Sequence, residues 1–161
     1  VQAWCGAPIA AHPLAPDLSR DRRNALPPAQ TLRGSLVRWA YLILAPLRPL
    51  RPLEAGVFLE DGEDLSAYGL EGRIIALPGH APGSLGIVTA RGDALVGDLL
   101  VNYAVPSQPL YLSDRAAWQA SYERLRGLEP RHVYVGHGEP FAGQALARIY
   151  PGRYQFRWWV R

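Results

Sequence analysis

Three apolar runs in this chain end in the same way. Arg73–Leu77 (RIIAL) leads into Pro78-Gly79-His80, Ala94–Val96 (ALV) into Gly97-Asp98, and His132–Val135 (HVYV) into Gly136-His137. Each run has the residue types of a buried strand. In each, a glycine then lets the backbone turn where a side chain would clash. The group delivered at the end is an imidazole or a carboxylate, which suits zinc, iron or manganese. Taken singly, a histidine after a strand is an ordinary loop residue and Gly-Asp an ordinary turn. The threefold repetition is what points to a metal site. His12, in a proline-rich loop, and His132, which opens a strand, are expected to pack or to face solvent.

Composition narrows the classes around this pattern. A length of 161 residues is one domain's worth of chain. With 48% hydrophobic and 19% charged residues it can build a core, which argues against disorder and coiled coil. All 17 basic residues are arginine, and only Arg20, Arg22 and Arg23 cluster, so the basic stripe that nucleic acid requires is missing. The single cysteine, Cys5, excludes an internal disulfide and a multi-cysteine metal site. The chain has no methionine and no secretory signal pattern. The expectation is a processed N-terminus or a piece of something longer, with a cytoplasmic location by default.

The remaining pattern is one of short alternating elements. Residues 1–6 read as a helix end stopped by Gly6, and 7–11 as a short buried strand. The prolines at 13, 16, 27 and 28 make a loop of 12–31. Residues 32–47 are the most apolar stretch, helix-sized and ended by Pro46. It is shorter than the roughly 20 residues a membrane span needs and contains Arg38, so no span is expected. Core packing is the first expectation for it, and an apolar lid or a membrane-surface contact the others. Val57–Leu59 predicts a strand, Glu60–Glu63 a turn, and Leu85–Ala90 with Ala94–Val96 a hairpin about Arg91-Gly92-Asp93. Asp114–Gly127 predicts a helix capped by Ser113 and stopped by Gly127, its apolar face made of Ala117 or Trp118, Ser121 or Tyr122, and Leu125. The tail, with Tyr150, Tyr154, Phe156, Trp158 and Trp159, predicts a strand or a hydrophobic edge.

The strand ends also carry a resemblance. Leu77-Pro78-Gly79-His80-Ala81-Pro82-Gly83-Ser84 resembles the T-P-G-H-T-x-G-S element of the metallo-β-lactamase superfamily. Val96-Gly97-Asp98-Leu99-Leu100 resembles its G-D-x-L-F element, and Tyr134-Val135-Gly136-His137-Gly138 its P-G-H-G element. Gly6–Ile9 is similar to the strand after the family's first metal motif, and Glu60–Glu63 to its D-G-D/E hairpin. The family's leading signature, H-x-H-x-D-H, is absent, because the chain has no His-x-His. The resemblance therefore implies an α/β chain holding the second part of a four-layered αββα sandwich, beginning just after the missing motif. That half would leave a sheet edge and an apolar face uncovered, which invites aggregation or dimerisation, the latter giving a homodimer.

The resemblance assigns roles residue by residue. His80 would be an imidazole ligand of the first metal, Asp98 the carboxylate bridging two metals, and His137 an imidazole ligand of the second. The ions would be zinc, with iron or manganese as alternatives. The nucleophile would be a water or hydroxide between them, positioned by Asp98. Gly79, Gly97 and Gly136 would be structural, and Ser84 would turn its hydroxyl back onto loop backbone beside the ligands. Implied is a metal-dependent hydrolase of a small ester, thioester or lactone, on the glyoxalase II-like and general-hydrolase side of the family, the chain alone being inactive. The alternative is a non-catalytic α/β binding module that keeps the fold.

Overall fold

The computed structural model describes residues 2–15, 27–44 and 55–150. The Arg20–Arg23 cluster, Pro46 and the aromatic tail beyond Tyr150 lie outside the described residues. The elements in chain order are α1 (Gln2–Cys5), β1 (Ala10–Ala11), α2 (Leu32–Leu44), β2 (Val57–Phe58), β3 (Gly72–Ala76), β4 (Leu85–Thr89), β5 (Asp93–Asn102), β6 (Pro106–Ser107), α3 (Arg115–Gly127), β7 (His132–Gly138) and β8 (Phe141–Ala142). Short 3₁₀ turns occupy Ser66–Tyr68 and Gly143–Arg148.

A mixed sheet forms the body, with the path β3-β4-β5-β7-β8 and β6 on the distal end of β5. β3, β4 and β5 are a meander, whereas β5 and β7 run parallel, joined through α3. β1 and β2 make a separate parallel pair. This is the mixed α/β architecture the sequence implies.

Adjacent strand residues point to opposite faces, yet Ile74 and Ile75 are both buried. The sheet therefore has an apolar layer on each side. Ile75, Leu77, Ala94, Val96 and Val133 pack on α3 through Trp118, Tyr122 and Leu125, the helical face read from the periodicity. The Trp118 and Tyr122 rings stack with centroids 5.4 Å apart. Each also satisfies its polar atom: Trp118 Nε1 donates to Leu99 O (2.8 Å), and Tyr122 Oη to Leu146 O and Ile149 O. Burial pushes the Tyr122 phenol pKa up. On the opposite face Leu59, Leu65 and Ile74 form a smaller cluster. Beside it lies an apolar cavity of about 620 Å³ lined by Val57, Leu59, Leu65, Ile74, Leu85 and Ile87 among others.

Several expectations need correction. Asp114, not Ser113, caps α3: its carboxylate accepts from Ala117 N at 3.0 Å, because the Ser113 hydroxyl is taken by the His80 carbonyl (2.8 Å). Helix α3 runs through Gly127, and Glu129 instead takes the left-handed backbone, at φ 47°. The strand at 7–11 is only Ala10–Ala11, and neither residue is buried. Helix α2 forms, but not as core: Leu36, Trp39 and Ile43 are 65%, 63% and 69% exposed. Among the described residues no helix is long and apolar enough to cross a membrane.

Candidate metal centre

His80 sits in the loop that closes the β3–β4 hairpin, and backbone chemistry fixes that loop. Leu77 N donates to Ser84 O at 2.9 Å. The Ser84 hydroxyl accepts from Ala81 N at 3.1 Å, turned back on the loop as its position after Gly83 suggests. From outside, Ser113 N and Asp114 N donate to Gly79 O at 2.8 and 3.0 Å, and Ser121 Oγ donates to Pro78 O at 2.7 Å. The loop thus lies directly on the first turn of α3. Only glycine fits at 79, since an added Cβ would be 2.3 Å from Trp118 Cα, at a φ of 132°.

Asp98 and His137 lie within strands rather than beyond their ends, contrary to the expected design. Ladder pairing continues past Gly97 to Asn102 and past Gly136 to Gly138, because β5 and β7 pair with each other on both sides of the glycines. The β5–β7 register shifts on either side of Gly97, which has φ 52°. That irregularity is where Asp98 emerges. Gly136, across the ladder, clears space for it: a Cβ there would stand 2.3 Å from Asp98 Oδ1.

The three predicted groups come together. His80 Nε2 is 3.6 Å from Asp98 Oδ2, and His137 Nε2 is 3.6 Å from Asp98 Oδ1. Each carboxylate oxygen addresses a different imidazole, at a separation longer than a hydrogen bond. The His80 tautomer follows from its other nitrogen. Nδ1 lies 2.9 Å from Tyr111 O, a carbonyl that can only accept, so Nδ1 carries the proton. In the neutral ring, Nε2 then turns a lone pair toward a carboxylate oxygen. Two acceptors face each other, an arrangement that a cation between them relieves. Exposure grades across the set, from His80 (19%) through Asp98 (32%) to His137 (58%).

These donors fit a metal ion. Imidazole nitrogen and carboxylate oxygen are ligands for zinc, iron or manganese, and Asp98 offers one oxygen to each side. Among the described residues no group of three or more His, Cys, Asp or Glu side chains forms a cage for an ion. Each His–Asp pair therefore needs further ligands to complete a site. Cys5 is exposed near the N-terminus. His132 serves the scaffold, its Nδ1 3.0 Å from Asp93 Oδ1.

Some contributors were invisible in the sequence. Tyr111 holds His80 through its main-chain carbonyl, which no side-chain pattern reports. Its phenol pKa is raised by burial, against the opposing pull of the Arg38 charge. Tyr103 stacks on the His137 ring, with centroids 6.3 Å apart. An aromatic five residues after Asp98 was a signal that could have been read.

The family model of the metallo-beta-lactamase superfamily matches residues 3–137, and the chain belongs to that superfamily. No curated protein matches it by sequence. Among solved structures it is similar to BLEG-1 B3 metallo-beta-lactamase, with 18% identity, a TM-score of 0.63, and coverage of 94% of this chain and 66% of that one. It is also similar to the archaeal superfamily protein ST1585 from Sulfolobus tokodaii, with 18% identity, TM-score 0.58, and coverage of 89% and 56%. TTHA1623, solved in a di-iron-bound form, is 26% identical, with TM-score 0.55 and coverage of 93% and 67%. The chain thus spans between about half and two thirds of the length of these structures.

Proposed function

We propose that this chain supplies one side of a two-metal centre in a hydrolase that cleaves a small ester, thioester or lactone. The observation that carries the reading is the Asp98 carboxylate set between two imidazoles, one oxygen toward each. His80 and His137 would bind different ions and Asp98 would bridge them. TTHA1623, described as di-iron-bound, supports a pair of ions rather than one; zinc, iron and manganese all suit this ligand set. When bound, such ions acidify a water and polarise a carbonyl.

The protein's own part is positional and electrostatic. The Tyr111 carbonyl keeps the His80 lone pair aimed inward, a role of the kind that orients metal ligands generally. Asp98 brings the negative charge that offsets two cations. Ser84 fastens the loop from which His80 projects. Three side chains divided between two ions are too few to hold them, so residues 1–161 alone bind metal weakly and turn over little substrate.

The test joins residues 1–161, in cis or as a separate chain, to an N-terminal half bearing H-x-H-x-D-H. Elemental analysis is combined with a screen of ester, thioester and lactone hydrolysis. Metal retention and hydrolysis rising together support the reading. Retention of metal with none of the three activities favours the binding module.

A further inference from the structure

Helix α2 reaches the metal centre through one residue. Tyr111 gives its main-chain carbonyl to His80 Nδ1 (2.9 Å), and its hydroxyl donates to Gly34 O (3.2 Å) in the first turn of α2. The segment before the helix is fastened to the same strip: Ala29 bridges Tyr111, Gln30 N donates to Leu110 O (2.9 Å) and Gln30 Nε2 to Leu112 O (3.2 Å). Gly34 is packed against Leu110 O and the Ala29 side chain. The start of α2 is therefore docked beside His80, although the rest of the helix is exposed.

Arg38 stands one helical turn beyond Gly34, on the same face. In an α-helix its amide uses the Gly34 carbonyl, the oxygen that also receives the Tyr111 hydroxyl. Its Nε is buried without a hydrogen-bond partner, the one such side-chain atom among the described residues. None of the ion pairs among the described residues includes Arg38. A guanidinium held with a buried donor unanswered is costly, and its planar fork matches a carboxylate or phosphate.

We propose that Arg38 is a specificity-determining residue that binds an anionic group, a carboxylate or phosphate, on the substrate of the neighbouring metal centre. Its place follows from the Tyr111 contact: the same residue that orients His80 docks the helical turn that leads into Arg38. The substrate is thereby narrowed to an ester, thioester or lactone that bears a negative charge away from the scissile carbonyl. This rests on the hydrolase reading above and deepens it.

The test is a titration of residues 1–161 with hexanoate, hexyl phosphate and, as the neutral counterpart, hexanamide, followed by NMR of the Arg38 Nε–H. We expect a saturable shift with hexanoate or hexyl phosphate, the stronger naming the anion, and none with hexanamide. Arg38→Gln should weaken the anion at least about tenfold, the scale of one charge-assisted contact. Arg38→Lys should recover only part of the affinity, because the fork is lost. Retained α2 amide resonances in the variants establish that the helix is still docked. Equal binding of hexanoate and hexanamide, unchanged anion affinity in Arg38→Gln, or no shift with either anion would overturn the inference. Zinc binding separates the two readings. If Asp98→Ala leaves it intact, the metal centre is wrong; if anion binding ignores Arg38 while zinc still requires Asp98, only the role of Arg38 falls.

Discussion

Gly136 and Asp98 share one space: a Cβ on Gly136 would lie 2.3 Å from Asp98 Oδ1. The strand that carries His137 thereby determines where the carboxylate of the neighbouring strand can sit. Two neighbouring residues of that strand, His137 and Gly136, act on the site, one by its side chain and one by having none.

Gly136→Ala should therefore displace the carboxylate without removing a ligand. The expected loss in stability is about 1–3 kcal/mol, the range for overpacking, with zinc affinity falling by more than about tenfold. Gly127→Ala is the matched comparison. A Cβ there meets nothing within 4 Å, and the residue is helical, so that change should stabilise by up to about 1 kcal/mol. Urea melts and zinc titrations of both variants check this.

Gly79→Ala is expected to be worse than either. Its Cβ would meet the Trp118 backbone at 2.3 and 2.4 Å, and φ is 132°. Neither the backbone of α3 nor this conformation can yield cheaply. The loop would lift from α3 and carry His80 with it. Thermal melts should show lower stability, and the His80 Nδ1–H signal expected from the Tyr111 contact should weaken in NMR spectra. An unchanged melt and an unchanged signal would contradict the packing described.

Much of this was legible because each signal was local. The strand-Gly units singled out His80, Asp98 and His137, whose side chains the fold brings together, and the helical period named Trp118, Tyr122 and Leu125. The failures have physical causes. Ser113 looked like a cap, but its hydroxyl was claimed by a carbonyl 33 residues away, which no local pattern encodes. Asp98 looked like a strand terminus because Gly97 interrupts the pattern, while pairing with β7 carries the strand onward. The apolar run of α2 read as core, since composition does not reveal whether another surface is there to cover it.

The Asp61–Arg124 pair makes a pH prediction. Asp61 is held below its ordinary carboxylate pKa of 3.8, chiefly by the hydrogen bond from Arg124 and then by that from Ala76 N. A carboxylate with a depressed folded pKa stabilises the fold above the unfolded value and loses that contribution as pH falls through the folded one. The contribution should be complete near neutrality and fade below about pH 4. Both side chains are nearly half exposed, so it should stay under about 1 kcal/mol. Asp61→Asn should flatten the stability profile in that acid window and alter little at pH 7.

Substitutions in the two carboxylate–histidine groupings should separate chemistry from scaffold. Asp98 lies between His80 and His137, whereas Asp93 pairs with His132 at the other end of the strands. In the chain joined to an H-x-H-x-D-H half, Asp98→Asn should cost far more hydrolysis than His132→Ala at matched folded fraction. An amide cannot offset two cations. Equal losses would reject the assigned roles.

The most direct measurement is zinc stoichiometry of that joined protein, by elemental analysis after exhaustive dialysis, with and without Asp98→Asn. A carboxylate shared by both ions predicts two tightly held zinc ions, and the loss of both from the variant with its fold intact by circular dichroism. Retention of two zinc ions without the Asp98 carboxylate, or loss of only one, would contradict a bridging role and with it the account of this centre.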